Sequence, residues 1–130
     1  MKKKQLEEIK RIFDDNPDVK LAYFFGSQAK GEAGPASDYD FAVYFDNQNS
    51  EEIFSNKAKL LDQLSRQLQT DKIDIVILDT AKKPELKYNI ISEGQLIFEK
   101  DPYKVILEPK ILNEYFDFQL MLKKHGLTKS

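Results

Sequence analysis

The chain has 130 residues, 41% of them apolar, with nine Phe, six Tyr and a net charge of -2. That composition excludes a disordered chain, and the absence of Cys excludes both a disulfide framework and a thiolate metal centre. No apolar run approaches the ~20 residues of a membrane span, and acids and bases interleave without a basic stripe, so neither a membrane nor a polymeric nucleic acid is an expected partner.

The length fits one domain spanning residues 1–130. The N-terminus, Met1-Lys2-Lys3-Lys4-Gln5, leads into Glu7 and Glu8 and lacks the apolar core of a signal peptide, which makes the cytoplasm the expected compartment. Leu6, Ile9, Ile12 and Phe13 recur at helical spacing and predict a helix over 3–15, ended by Asn16-Pro17-Asp18. The continuous apolar run Val19 to Phe25 predicts a central strand buried on both faces. Gly26 to Ser37 holds three of the five glycines and Pro35, and is expected to be mostly loop. Asp40 to Phe45 reads as a second strand. Glu51 to Gln69 reads as an amphipathic helix with Phe54, Ala58, Leu61, Leu64 and Leu68 on its buried stripe. Ile73 to Leu78 is a third strand, Pro84 to Ser92 a short helix ending near Gly94, and Gln95 to Glu99 a short strand. A helical segment over about 101–124 should follow, capped by Asp101 with Pro102 at its first position, and broken or kinked at Pro109. The order of elements predicts an α/β or α+β fold, a small mixed β-sheet packed with helices.

Three features carry chemistry. Gly26-Ser27 directly follows a buried strand. Glycine lets a phosphate approach the backbone, and the Ser27 hydroxyl can cap the next helical turn and meet the same phosphate. The plainer reading is an ordinary strand-to-helix turn. Ser37-Asp38-Tyr39-Asp40 stands at the mouth of the second strand, where alternation points Asp38 and Asp40 to one face, about 6.6 Å apart along the strand. Two such carboxylates suit a pair of hard cations, and two ions about 3.5–4 Å apart suit in-line phosphoryl displacement. The plainer reading is a polar loop end. Asp74 interrupts the apolar strand Ile73-Asp74-Ile75-Val76-Ile77, a costly placement unless the carboxylate is paired, hydrogen-bonded or metal-bound, or faces solvent on an edge strand.

Read together, Phe24-Phe25-Gly26-Ser27-Gln28-Ala29-Lys30-Gly31, then Ser37-Asp38-Tyr39-Asp40-Phe41-Ala42-Val43, then Asp74 in a later strand resemble the minimal nucleotidyltransferases of the DNA polymerase beta-like superfamily. The resemblance covers residues 19–98. It implies that Gly26, Ser27, Lys30 and Ser37 hold the triphosphate of ATP. It also implies that Asp38, Asp40 and Asp74 bind two Mg²⁺ ions, with Asp74 on the ion nearest the attacking group. The small members often carry arginine where this chain has Lys30, and lysine meets a phosphate as a point charge without the bidentate fork. The chain is short for a second, substrate-binding domain, which suggests a macromolecular acceptor. The resemblance implies one: a HEPN-type ribonuclease toxin, adenylylated on tyrosine by its antitoxin. Two other readings stay open, a binding-only antitoxin or scaffold, and a transferase acting on an aminoglycoside-like alcohol.

The remaining candidates have structural readings. His125, the one histidine, is expected to favour a helix C-terminus. Asp79 reads as a loop residue, and Lys82 and Lys83 as a solvated turn. Ile111, Leu112, Tyr115, Phe116, Phe118 and Leu122 predict a core-facing stripe, crowded enough that part of it can serve a homo- or hetero-oligomer.

Overall fold

The computed structural model describes residues 1–31, 34 and 38–126. Its elements are α1 (Lys3–Asp14), β1 (Leu21–Phe25), α2 (Gly26–Lys30), β2 (Tyr39–Tyr44), α3 (Ser50–Leu68), β3 (Ile73–Ile77), α4 (Pro84–Glu93), β4 (Gln95–Glu99) and α5 (Tyr103–Lys124). The strands form one sheet in the order β3-β2-β1-β4. β1 runs antiparallel to both β2 and β4, whereas β2 and β3 are parallel. This is the expected mixed sheet packed with helices, and β1 is the buried inner strand its sequence predicts.

Strand alternation divides the core in two. Ala22, Phe24, Phe41, Val43, Ile75 and Ile77 face α1 and α3 and close on Ile9, Phe13, Leu60 and Leu64, all four fully buried. Leu21, Tyr23, Ala42 and Tyr44 face the opposite way, toward Ile90 of α4 and Leu107 and Ile111 of α5. Within the sheet, α4 lies against β1 and β4, on the side away from β3. Polar contacts tie this second layer down. The Tyr23 hydroxyl donates to Glu108 Oε2 at 2.7 Å, and burial, then the Glu108 contact, push its pKa up. Lys87, only 8% exposed, pairs with Glu114 at 2.7 Å, and the Tyr88 and Tyr115 rings stack 3.9 Å apart.

Local chemistry explains most boundaries. The Asn49 side chain caps α3 by accepting from the backbone N–H groups of Glu51 and Glu52. The buried line of α3 is Ile53, Leu60, Leu64 and Leu68; Phe54 is 74% exposed and Ala58 is exposed, so the predicted stripe is rotated at its first turns. The reason is the competing register: Ile53, next to Phe54, already fills the seat over the sheet. α2 replaces part of the predicted loop, because the chain turns directly from strand to helix at Gly26. α5 begins at Tyr103, so Pro102, not Asp101, precedes the helix, and no side chain caps it. The helix runs without interruption through Pro109. Along α5, Ile111 is buried but Phe116 is 53% exposed, so the predicted core stripe is covered only in part. Among the described residues no helix is long and apolar enough to cross a membrane.

Candidate active site

Antiparallel and parallel pairing bring four strand ends to one edge of the sheet. The C-terminal end of β1 lies beside the starts of β2 and β4, and β3 begins next to β2. Phe25 pairs with Asp40, and Asp40 pairs with Asp74, so the two carboxylates stand side by side on adjacent strands. Tyr39 fixes which way they point. Its ring stacks on Phe24 and packs into the α1–α3 core, so alternation sends Asp40 to the opposite face of the sheet, at the end of β2 where the strand begins. Asp38 is exposed immediately before β2, and Asp74 is exposed on the edge strand. The plainer reading of Asp74 as a solvent-facing edge residue is therefore correct as far as it goes, but its register with Asp40 gives it a second partner.

The electrostatics reflect that gathering. Burial, then the Asp74 carboxylate, then that of Asp38 push the Asp40 carboxyl above its ordinary value. Three hard oxygen donors whose negative charges repel one another form a donor set of the kind Mg²⁺ prefers. Among the described residues no three His, Cys, Asp or Glu side chains are drawn together as a closed ligand set, so the fit is one of donor chemistry and register.

Gly26 joins the acids to the neighbouring turn. Its φ is +81°, in the left-handed region, and an added Cβ would fall on the Asp40 carboxylate, 3.1 Å from its Cγ. Only glycine lets the β1–α2 turn pass this close to Asp40. Ser27 follows within the first turn of α2; Phe25 occupies the cap position, and the predicted Ser27 cap is not formed. Gln95 Nε2, at the start of β4, donates to Ala29 O at 3.4 Å and ties α2 to the sheet. Lys30 pairs with Glu93 at the end of α4, 3.1 Å away. Ser37 lies outside the described residues. The structure thus assembles Gly26, Ser27, Asp38, Asp40 and Asp74 at one edge, with Lys30 at the rim engaged by a carboxylate that sequence reading did not single out.

Residues 7–103 match the family Polymerase beta, Nucleotidyltransferase. The chain belongs to that family. This nucleotidyltransferase is 34% identical over 96 residues to a candidate protein adenylyltransferase of Methanocaldococcus jannaschii, a match covering 74% of this chain and 92% of the relative. It is 28% identical over 97 residues to the protein adenylyltransferase MntA of Aphanizomenon flos-aquae, covering 69% of this chain and 63% of that relative, under two thirds of its length. Its fold is shared with a chain from the complex of a tri-AMPylated Shewanella oneidensis HEPN toxin with an MNT antitoxin. There the TM-score is 0.68 at 21% identity, over 95% of this chain and 94% of that one.

Other residues of the nucleotidyltransferase serve structure. Asp79, read as a loop residue, is half-buried and accepts from the backbone N–H groups of Phe45 at 2.9 Å and Asn47 at 3.0 Å, which clamps the chain leaving β2. Burial pushes its carboxyl up while those backbone contacts pull it down. A lone acid after a strand gave no sign of that role. Lys82 and Lys83 are exposed ahead of α4, and His125 follows the last turn of α5, both as expected.

Proposed function

We propose that the chain acts as one domain over residues 1–130 and transfers AMP from ATP to a tyrosine hydroxyl of a HEPN-type ribonuclease, silencing it as an antitoxin in the cytoplasm. The observation that carries this reading is the contact of Gly26 with Asp40. A turn suited to phosphate and a carboxylate suited to cations are built against each other, which is what a nucleoside triphosphate with its escorting metal requires. The relatives' names supply the direction of transfer, since an adenylyltransferase leaves AMP on its acceptor.

In this reading the backbone at Gly26 and the hydroxyl of Ser27 hold the β- and γ-phosphates, with Ser37 beside them. Lys30 exchanges Glu93 for a phosphate oxygen. Asp38 and Asp40 would hold two Mg²⁺ ions, and Asp74 the one nearer the acceptor. When bound, those ions neutralise the triphosphate and ease deprotonation of the acceptor. The phenol oxygen attacks the α-phosphorus in line, the bond to the β-phosphate bridge breaks, and pyrophosphate leaves. Positioning of both groups at one sheet edge supplies much of the rate. α5, with Phe116, Leu120 and Met121 exposed, is the surface on which a partner or second copy would rest.

The test is incubation of the chain with its partner ribonuclease, Mg²⁺ and ATP labelled at the α-phosphate. Label on the ribonuclease, lost with chelator and absent when the label is on the γ-phosphate, is the expected result. Absence of label under all conditions would sink the transferase reading.

A further inference from the structure

α5 is apolar on two faces. Leu107 and Ile111 are buried against the sheet and α4. At about 3.6 residues per turn, the opposite face of the same helix carries Val105, Pro109, Leu112, Phe116 and Leu120. Steps of three or four residues join them into a continuous stripe, close to the seam of a two-helix coil. Val105 is 72% and Leu120 65% exposed, so no described element of this chain covers the two ends of the stripe. Its centre is already braced: the Phe116 ring lies 5.8 Å from that of Tyr115 and 6.5 Å from that of Tyr88. A side chain held in place before docking loses less freedom on docking.

We propose that this stripe pairs α5 with α5 of a second copy of the chain, antiparallel and about a two-fold axis, a contact independent of the transfer reaction. Charge selects the occupant. Lys110 and Asp117 flank the stripe on one side, about two turns apart. Both are exposed, and neither has an ion-pair partner among the described residues. Some 10 Å of helix, roughly, separates them, too far for them to pair with each other in one copy. Antiparallel helices bring like flanks together, so Lys110 of each copy faces Asp117 of the other, and the two-fold forms the pair twice. Parallel helices would leave these flanks on opposite sides of the seam. An axis between Leu112 and Asn113 sets Val105 against Leu120 and Pro109 against Phe116. The same axis brings Lys110 and Asp117 to within about 3 Å of level, well inside the reach of a lysine side chain. The apolar stripe supplies the drive, and the charges fix direction and register.

The test is sedimentation equilibrium of the full chain over a range of concentrations, for wild type, Lys110→Glu, Asp117→Lys, the variant carrying both, and Leu120→Ser. All three positions are exposed, and circular dichroism checks that each variant is folded. Wild type should approach twice the mass of the chain as concentration rises. Each single reversal turns two attractive pairs into two repulsive ones and should weaken the dimer by about tenfold. The double variant exchanges the charges and should return to within about threefold of wild type. Leu120→Ser should leave a monomer. A wild type that stays monomeric up to millimolar concentration would overturn the proposal. So would a dimer that the single reversals leave unchanged, or one that the double variant fails to restore. A wild type that is monomeric alone, and whose binding to the ribonuclease is lost in Leu120→Ser, would overturn it by giving the stripe to that partner.

Discussion

The two faces of the sheet are closed by different means. Under α1 and α3 the contact is carbon on carbon: Ile9, Phe13, Phe41, Leu60 and Leu64 are fully buried. Under α4 and α5 the apolar layer is thinner, and polar pairs hold it, Tyr23 to Glu108 and Lys87 to Glu114. On that face, at the edge where β2 and β3 begin, Asp40 and Asp74 stand in register, and Gly26 leaves no room for a Cβ. One face therefore supplies the stability that lets the other hold mutually repelling carboxylates. If so, substitutions on the open edge should damage chemistry and spare stability, and substitutions under α3 should do the reverse.

The sharpest break is expected at Asp40. Asp40→Asn should lower transfer by ~10³-fold or more, about 4 kcal/mol of transition-state stabilisation, in a steady-state assay with Mg²⁺. It should leave the melting temperature in metal-free buffer unchanged or higher, because a carboxylate beside Asp74 and Asp38 is removed. The sign of the pH dependence follows from the raised folded value. Asp40 contributes stability below the unfolded-chain value of about 3.9 and loses it as pH rises through the folded value. Wild type should thus show a downward component over that interval that Asn abolishes. Wild-type turnover in Asp40→Asn would place the reaction elsewhere.

Leu64→Ala probes the closed face. A fully buried leucine lost under α3 should cost about 2–5 kcal/mol in denaturant unfolding, with ATP affinity unchanged in the folded fraction. Glu114→Gln, on the polar-stapled layer, should cost only about 1 kcal/mol, since Glu114 is 44% exposed and its pair with Lys87 is partly screened. Equal losses would mean that the two layers are held by similar forces after all.

Gly26→Val tests the seam between turn and acid. A β-branched side chain at φ +81° is strained by about 1–3 kcal/mol and falls on the Asp40 carboxylate, so ATP affinity by calorimetry should drop by at least ~tenfold. Ser27→Ala removes one hydroxyl contact and should weaken the same titration by only a few fold, about 1 kcal/mol. Unchanged affinity in Gly26→Val would mean that the triphosphate lies elsewhere.

How much of this was legible beforehand follows the physics of each signal. Strands announced themselves by apolar runs, and Asp74 stood out because a carboxylate breaks such a run. Pairing Asp74 with Asp40 needed strand order, which periodicity does not contain. Phe54 was misread because Ile53 beside it offers a competing helical register, and only the sheet beneath decides between them. Glu93, the partner of Lys30, was invisible beforehand, because a helix facing a site and a helix facing water carry the same polar residues. The α5 stripe was overcounted as core for a related reason: hydrophobicity says that a face seeks cover, not whether this chain provides it.

The most direct test of the central claim is mass spectrometry of the ribonuclease co-expressed with wild type or with Asp74→Asn. Asp74 lies one strand from Asp40 on the exposed edge. Its loss should therefore impair transfer far more than ATP binding. The account predicts a tyrosine carrying added AMP on the ribonuclease with wild type, and unmodified, active ribonuclease with Asp74→Asn. An unmodified ribonuclease silenced equally by both would contradict it and make the chain a contact antitoxin.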